Sequence, residues 1–153
     1  NSNEAYLSHA LNYIVPILPE LTLKNKKMSA EGYDPRRSKV SEDKMEAWLR
    51  SQVTADLEDV PGIGPASKKK LADGDEKITN CYQLFGKFLM LRGPDTADHT
   101  VENMEHTEKF WQWLKSKGIS SHRSAIVRAI AEKSATFFTG IYDANEWGDD
   151  EDE

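Results

Sequence analysis

An all-α fold, a compact five-helix domain, is what this sequence predicts, and three observations predict it. Apolar residues recur at three- and four-residue spacing in successive stretches. No stretch alternates apolar and polar residues as a half-buried strand would. Glycine and proline punctuate the gaps between the periodic stretches.

Taken in order, residues 1–40 read as an N-terminal extension, partly helical or linker. Glu4–Val15 carries Ala5, Leu7, Leu11 and Ile14, and Pro16 and Pro19 stop it. Lys24–Lys39 is polar, with six bases and the turn signals Gly32 and Asp34-Pro35, and reads as a linker. At Ser41, a candidate N-cap, Met45, Trp48, Leu49 and Gln52–Val53 follow at helical spacing. Pro65 stands at the favoured first position of a second helix that ends near Gly74. Thr79 is expected to cap a third helix through Leu91, with Tyr82, Leu84, Phe85, Phe88, Leu89 and Leu91 on its apolar face. Gly93-Pro94 ends it, and Asp95–Glu105 reads as a loop or insertion. Thr107 is expected to open a fourth helix that Gly118 stops, with Phe110 and Trp113 in its buried stripe and Trp111 exposed. Ser120 or Ser121 would cap a fifth, with Ile126, Val127, Ile130, Ala131, Phe137 and Phe138 as its stripe. The domain so bounded is 41–142, and 143–153 is an acidic disordered tail.

The charge has to be divided before it is read. The chain carries 20 bases and 26 acids, a net of −6, but seven acids and no base fall in 143–153. The remainder has 20 bases against 19 acids, a net of +1. The acidity therefore belongs to the tail, and an acidic average does not exclude a nucleic-acid partner. The tail could compete for the same basic surface. No apolar run approaches membrane-spanning length, so no membrane insertion is expected. The single cysteine, Cys81, excludes an internal disulfide and a zinc site with several thiolates.

The informative segment is Val60-Pro-Gly-Ile-Gly-Pro-Ala-Ser-Lys-Lys-Lys-Leu71, which has the pattern of a helix-hairpin-helix. Gly62 and Gly64 permit positive φ and leave no Cβ between backbone and ligand. Ile63 can pin the hairpin to the core. The amides of Gly62, Gly64, Ala66 and Ser67 lie at or before a helix N-terminus, where unpaired donors favour an anion. Lys68, Lys69 and Lys70 add charge one turn on, although successive positions point about 100° apart, so at most two can face one phosphate strand. A dinucleotide-binding loop is excluded, because Ser67 stands where the third glycine belongs and no strand precedes the motif. The plain alternative is a Gly-Pro turn followed by a solvated lysine face.

Beyond the hairpin, Tyr82-Gln-Leu-Phe-Gly-Lys-Phe-Leu-Met-Leu91, Phe110-Trp-Gln-Trp-Leu-Lys115 and Phe137-Phe138 follow in order. Together with Gly62-Ile63-Gly64 and Lys69-Lys70-Leu71, this series resembles the barrier-to-autointegration factor family from about Ser41 to Gly140. The resemblance implies a homodimer that holds one double-stranded DNA per subunit and bridges duplexes without reading sequence. It also implies a nuclear, chromatin-associated location, and as a possible partner a nuclear-envelope or chromatin protein. In that family, residues at the start of the last helix flank the hairpin. His122 and Arg123 occupy that region here and join the expected footprint; Arg128 and Lys133 stand open between footprint and surface.

No catalytic constellation can be defended. The four histidines form no ligand spacing, and neither a Ser-His-Asp nor a Cys-His arrangement is apparent, so no enzyme, metal or cofactor is expected. Cys81 reads as a packed core residue, the aromatic residues as core or dimer interface, and Trp147 as a docking or partner residue. Two other readings remain: the DNA-anchoring module of a repair enzyme, and a protein-interaction domain that keeps the fold without DNA.

Overall fold

The computed structural model describes residues 31–148. The chain divides between Gly32 and Tyr33, and one compact unit begins at Tyr33. The expected helix at Glu4–Val15 and the last five tail residues lie outside the described residues. Among these there are five α-helices and no strand: α1 Glu42–Arg50, α2 Pro65–Ala72, α3 Cys81–Met90, α4 Asn103–Ser116 and α5 Arg123–Ala135. Single 3-10 turns stand at Pro35–Arg37, Leu57–Asp59 and Ala144–Trp147.

The core is organised around α5. Ala125, Ile126, Val127, Ala129, Ile130 and Ala131 are all fully buried, so this helix is enclosed on nearly every side. Its alanines admit close neighbours, and α4, α1, α3 and the Pro35–Arg37 turn pack on it. Phe88, Phe110, Leu114, Met45 and Leu71 fill the space between them. Full burial of each such side chain contributes roughly 1.5–3 kcal/mol.

One bond set ties α1 to α5. The Trp48 indole Nε1–H donates to the Ala129 carbonyl at 2.9 Å. Lys133, expected as a surface or footprint base, is instead 4% exposed. Its ammonium donates to the carbonyls of Trp48 and Leu49, both at 2.9 Å, and to that of Ser51. These are last-turn and cap oxygens of α1; the Trp48 oxygen also accepts from the Ser51 N–H at 3.2 Å and the Ser51 hydroxyl at 2.7 Å. The lysine therefore satisfies them and complements the negative end of the helix dipole. Burial pushes its pKa down.

Several boundaries differ from expectation for identifiable reasons. The first helix stops at Arg50, capped by Ser51, so Gln52–Val53 lies beyond it. Asn80, not Thr79, caps α3: its side chain accepts the Gln83 N–H at 2.9 Å, while Gln83 Oε1 accepts the Thr79 N–H at 2.7 Å. The fourth helix opens at Asn103, not Thr107, so only the first part of Asp95–Glu105 is loop. Its first turn has no apolar stripe to reveal it, because its inward residues are His106 and Thr107, both fully buried. Thr107 donates back to the Asn103 carbonyl at 3.1 Å.

The tryptophans exchange roles. Trp111 is 3% exposed, and Trp113 is the half-buried one, stacked on Phe110 at 5.8 Å. Neither Ser120 nor Ser121 caps α5; His122 does, from a left-handed backbone at φ 61° with no side-chain cap bond. Because α5 ends at Ala135, Phe137 and Phe138 fall past it and are exposed. Tyr82 and Met90 are also exposed, on the outer face of α3 beside Gly86, where an added Cβ would meet nothing.

Both segments flanking the expected domain take part in the packing. Tyr33, within the expected linker, is buried, and its hydroxyl shares a 2.6 Å hydrogen bond with that of Tyr142. Trp147 lies edge-on to Tyr33 at 5.1 Å. The first tail residues thus form a turn docked on aromatic rings.

Candidate functional site

Three helix N-termini open on one depression with a cavity volume of about 550 Å³. Ser41 and Lys44 come from the start of α1, Gly64 to Ser67 from the start of α2, and Ser121 and His122 from the start of α5. Gly62, Ile63 and the incoming Lys39–Val40 complete the lining. Each helix start carries roughly half a positive charge, and all three poles act on whatever sits between them.

The Val60–Gly64 turn and the start of α2 supply most of the donors. Ile63 is buried, and its N–H donates to the Val60 carbonyl at 3.0 Å, closing the turn. The first intrahelical bond, Lys68 N–H to the Gly64 carbonyl at 3.0 Å, leaves the amides before it outside the helical ladder. Among the described residues no acceptor meets the amides of Gly62, Gly64, Ala66 or Ser67. Pro65 contributes no donor.

The two glycines do different work. Gly62 has φ +95°, and a Cβ there would come within 3.1 Å of Ile126 Cγ1 and 3.2 Å of the His122 carbonyl oxygen. It lets the Val60–Gly64 turn lie against the start of α5. Gly64, where glycine would permit positive φ as well, has φ −106°, a value open to any residue. A Cβ there would meet nothing within 4 Å, so this glycine keeps the entrance to the amides clear.

Of the expected footprint, Gly62, Ile63, Gly64, Ala66, Ser67 and His122 come together around the depression. The lysines divide. Lys69 is exposed and makes no ion pair among the described residues. Lys68 faces Glu58 at 3.3 Å and Asp56 at 3.6 Å, which raise its pKa. Lys70 turns the other way and donates to the Gly118 carbonyl at 2.7 Å. Arg123 is not in the lining either. Its guanidinium lies over the Trp111 ring at 4.3 Å and donates to the Ile119 carbonyl at 2.6 Å. The left-handed turn at His122 presents the histidine at the rim and carries the arginine to the other side.

Sequence reasoning missed Lys39 and Lys44, the two ammonium groups that line the depression. Lys44 has a legible signal, three residues after a serine cap. Lys39 reads as linker until the helix starts are known to converge.

Two acids are close by on α1, and one is held. Arg128 grips Glu42 with both guanidinium ends at 2.8 and 2.9 Å and reaches Glu132 at 3.1 Å. The first of these contacts holds the Glu42 carboxyl below its usual pKa. Arg128, left open between footprint and surface, is thus engaged within the protein. Asp43 makes no ion pair among the described residues.

Elsewhere, Cys81 is fully buried, and its thiol donates to the Asp56 carbonyl at 3.1 Å. Burial pushes its pKa up to about 11, against thiolate reactivity. Among the described residues no cluster of His, Cys, Asp and Glu could hold a metal ion, and no helix is long and apolar enough to cross a membrane. No protein-family model matches the chain, nor does any curated protein or solved structure.

Proposed function

We propose that this chain is a non-enzymatic protein that binds double-stranded DNA through its phosphates, without reading sequence, and bridges duplexes as a homodimer. The observation that carries the reading is the convergence of three helix N-termini, with unpaired amides, on one depression flanked by Lys39 and Lys44. Such donors suit a phosphodiester oxygen and hold no information about bases. In this reading Leu57–Asp59, Val60–Gly64 and α2 make a helix-hairpin-helix whose first helix has shrunk to one 3-10 turn. The resemblance to the barrier-to-autointegration factor family supports it, and with it a chromatin-associated role in the nucleus. The exposed α3 face, with Tyr82, Gly86 and Met90, is suited to pairing with a second copy.

Binding of a short blunt duplex across a salt series tests the reading. A footprint of three bases unpaired among the described residues, Lys39, Lys44 and Lys69, predicts a log–log salt slope of roughly −2.7. Gly64→Val is the decisive variant. A Cβ there meets nothing within 4 Å and the backbone angle is open to any residue, so the fold should persist, yet the side chain stands among the amides and should reduce affinity at least tenfold. Unchanged affinity in a folded Gly64→Val protein would remove the hairpin from the interface. Light scattering with and without duplex reports subunit number and bridging together.

A second reading rests on the near-balance of charge outside the tail and on the exposed Phe137, Phe138, Tyr82 and Met90. It is a protein-interaction domain that has kept the fold, and it predicts no duplex binding by the parent chain.

A further inference from the structure

We infer that Tyr33–Lys39 is a second arm of the phosphate-binding site, and that the C-terminal turn carrying Trp147 positions it so that Lys39 reaches the duplex. The inference rests on the DNA-binding reading above and concerns residues outside the hairpin and outside the span that carries the family resemblance at its N-terminal side.

The arm is fixed at both ends. At one end Tyr33 is buried, hydroxyl to hydroxyl with Tyr142 at 2.6 Å, and Trp147 closes over both rings at 5.1 and 5.4 Å. The Tyr33 N–H donates to Glu108 Oε2 on α4 at 2.9 Å. At the other end, Ser41 caps α1, its hydroxyl oxygen accepting the Lys44 N–H at 3.3 Å. Between them the chain is tightened by Asp34, which accepts the Arg36 N–H at 2.9 Å and its guanidinium at 3.0 Å. The Ser38 N–H closes the Pro35–Arg37 turn onto the Pro35 carbonyl. Lys39 follows directly and lies at the rim of the depression.

The physical consequence concerns entropy and charge. A lysine on a loose tether must be ordered when it meets a phosphate; on a fixed arm the backbone is already ordered in the folded chain. Trp147 and Tyr142 lie more than a hundred residues from Lys39 and add no positive charge. Opening their contact with Tyr33 should nevertheless remove one phosphate contact. They are positioning residues.

The test is the salt dependence of duplex affinity, measured by fluorescence anisotropy on the full chain. Lys39→Ala should make the log–log slope shallower by about 0.9, the value of one phosphate contact. Trp147→Ala, which changes no charge, should make it shallower by the same amount, and the double variant by no more than either alone. Tyr142→Phe keeps the ring and loses the hydroxyl contact, and should shift the slope in the same direction by less. A merely destabilising change would lower the amount of competent protein without altering the slope. Parental slopes in both clasp variants, with parental circular dichroism, would overturn the inference while leaving the DNA-binding reading intact. Should Trp147→Ala lose helical signal, Tyr142→Phe decides by the same criterion. A parent chain that binds no duplex defeats both.

Discussion

Two groups of bases occupy this molecule, and they have opposite fates. Around the helix starts, Lys39, Lys44 and Lys69 are exposed, and none makes an ion pair among the described residues. On α5 and the end of α4, the bases are consumed inside the protein. Lys133 serves three carbonyls of α1, Arg128 serves Glu42 and Glu132, and Arg123 covers Trp111. Lys117 donates to the Asp73 and Glu76 carbonyls at 2.5 and 2.7 Å. In sequence the second group looks the more basic, with five bases between Lys115 and Lys133 against one acid. The difference teaches that charge available to a ligand is what remains after helix ends and buried acids have taken theirs.

The comparison can be broken most forcefully at Lys133. Lys133→Met keeps the volume and removes the donor from the Leu49 and Ser51 carbonyls, while the Trp48 carbonyl keeps its Ser51 donors, so unfolding free energy should fall by about 2 kcal/mol. The salt slope of duplex binding should stay parental. A large slope change with little loss of stability would place Lys133 among the available bases.

The histidines repeat the contrast and give a pH dependence. His122 lines the depression, whereas His106 is fully buried, stacked on Phe88 at 4.1 Å, its Nε2–H donating to the Phe88 carbonyl at 2.6 Å. Burial lowers the His106 pKa, with Arg92 and Lys109 adding to the effect and the Phe88 bond opposing it. The unfolded chain therefore binds a proton that the folded chain refuses. Stability should be full above the unfolded pKa of about 6.5 and fall below it by at most about 1.4 kcal/mol per pH unit, until the folded pKa is reached. Urea unfolding at pH 7.5, 6.5 and 5.5 reads this directly, and His106→Gln should flatten it.

The smallest effect sharpens the comparison at its boundary. Arg128→Ala frees Glu42 beside the depression and should weaken duplex binding about threefold, in addition to a stability loss of about 1 kcal/mol. Glu42→Gln added to it should restore affinity but not stability. Failure of that rescue would mean that Glu42 does not act on the ligand.

How much was legible follows from these cases. The all-α class, the start of α2 at Pro65 and the inward Ile63 could be read, because period and proline chemistry are local. The cap expected at Thr79 falls one residue on, at Asn80, because neighbouring polar residues offer equivalent oxygens and only packing selects among them. A left-handed histidine cap has no local signature. The start of α4 is hidden because its first inward side chains are polar: His106 bonds the distant Phe88 carbonyl and Thr107 the carbonyls of its own preceding turn. Half of the candidate site, Gly62 to Ser67, is contiguous in sequence and open to local reading. The other half is tertiary: Lys39 and Gly64 are 25 positions apart, and no periodicity joins them.

The lysine beneath α1 has one more consequence. That nine-residue helix is about 13 Å long, with its far pole met by the Lys133 ammonium. An anion at the mouth therefore sees one end of a polarised rod with the opposing end cancelled, and the attraction reaches further than an ordinary surface helix allows. The interior of this small domain is wired so that a charge hidden from solvent strengthens the field at its surface.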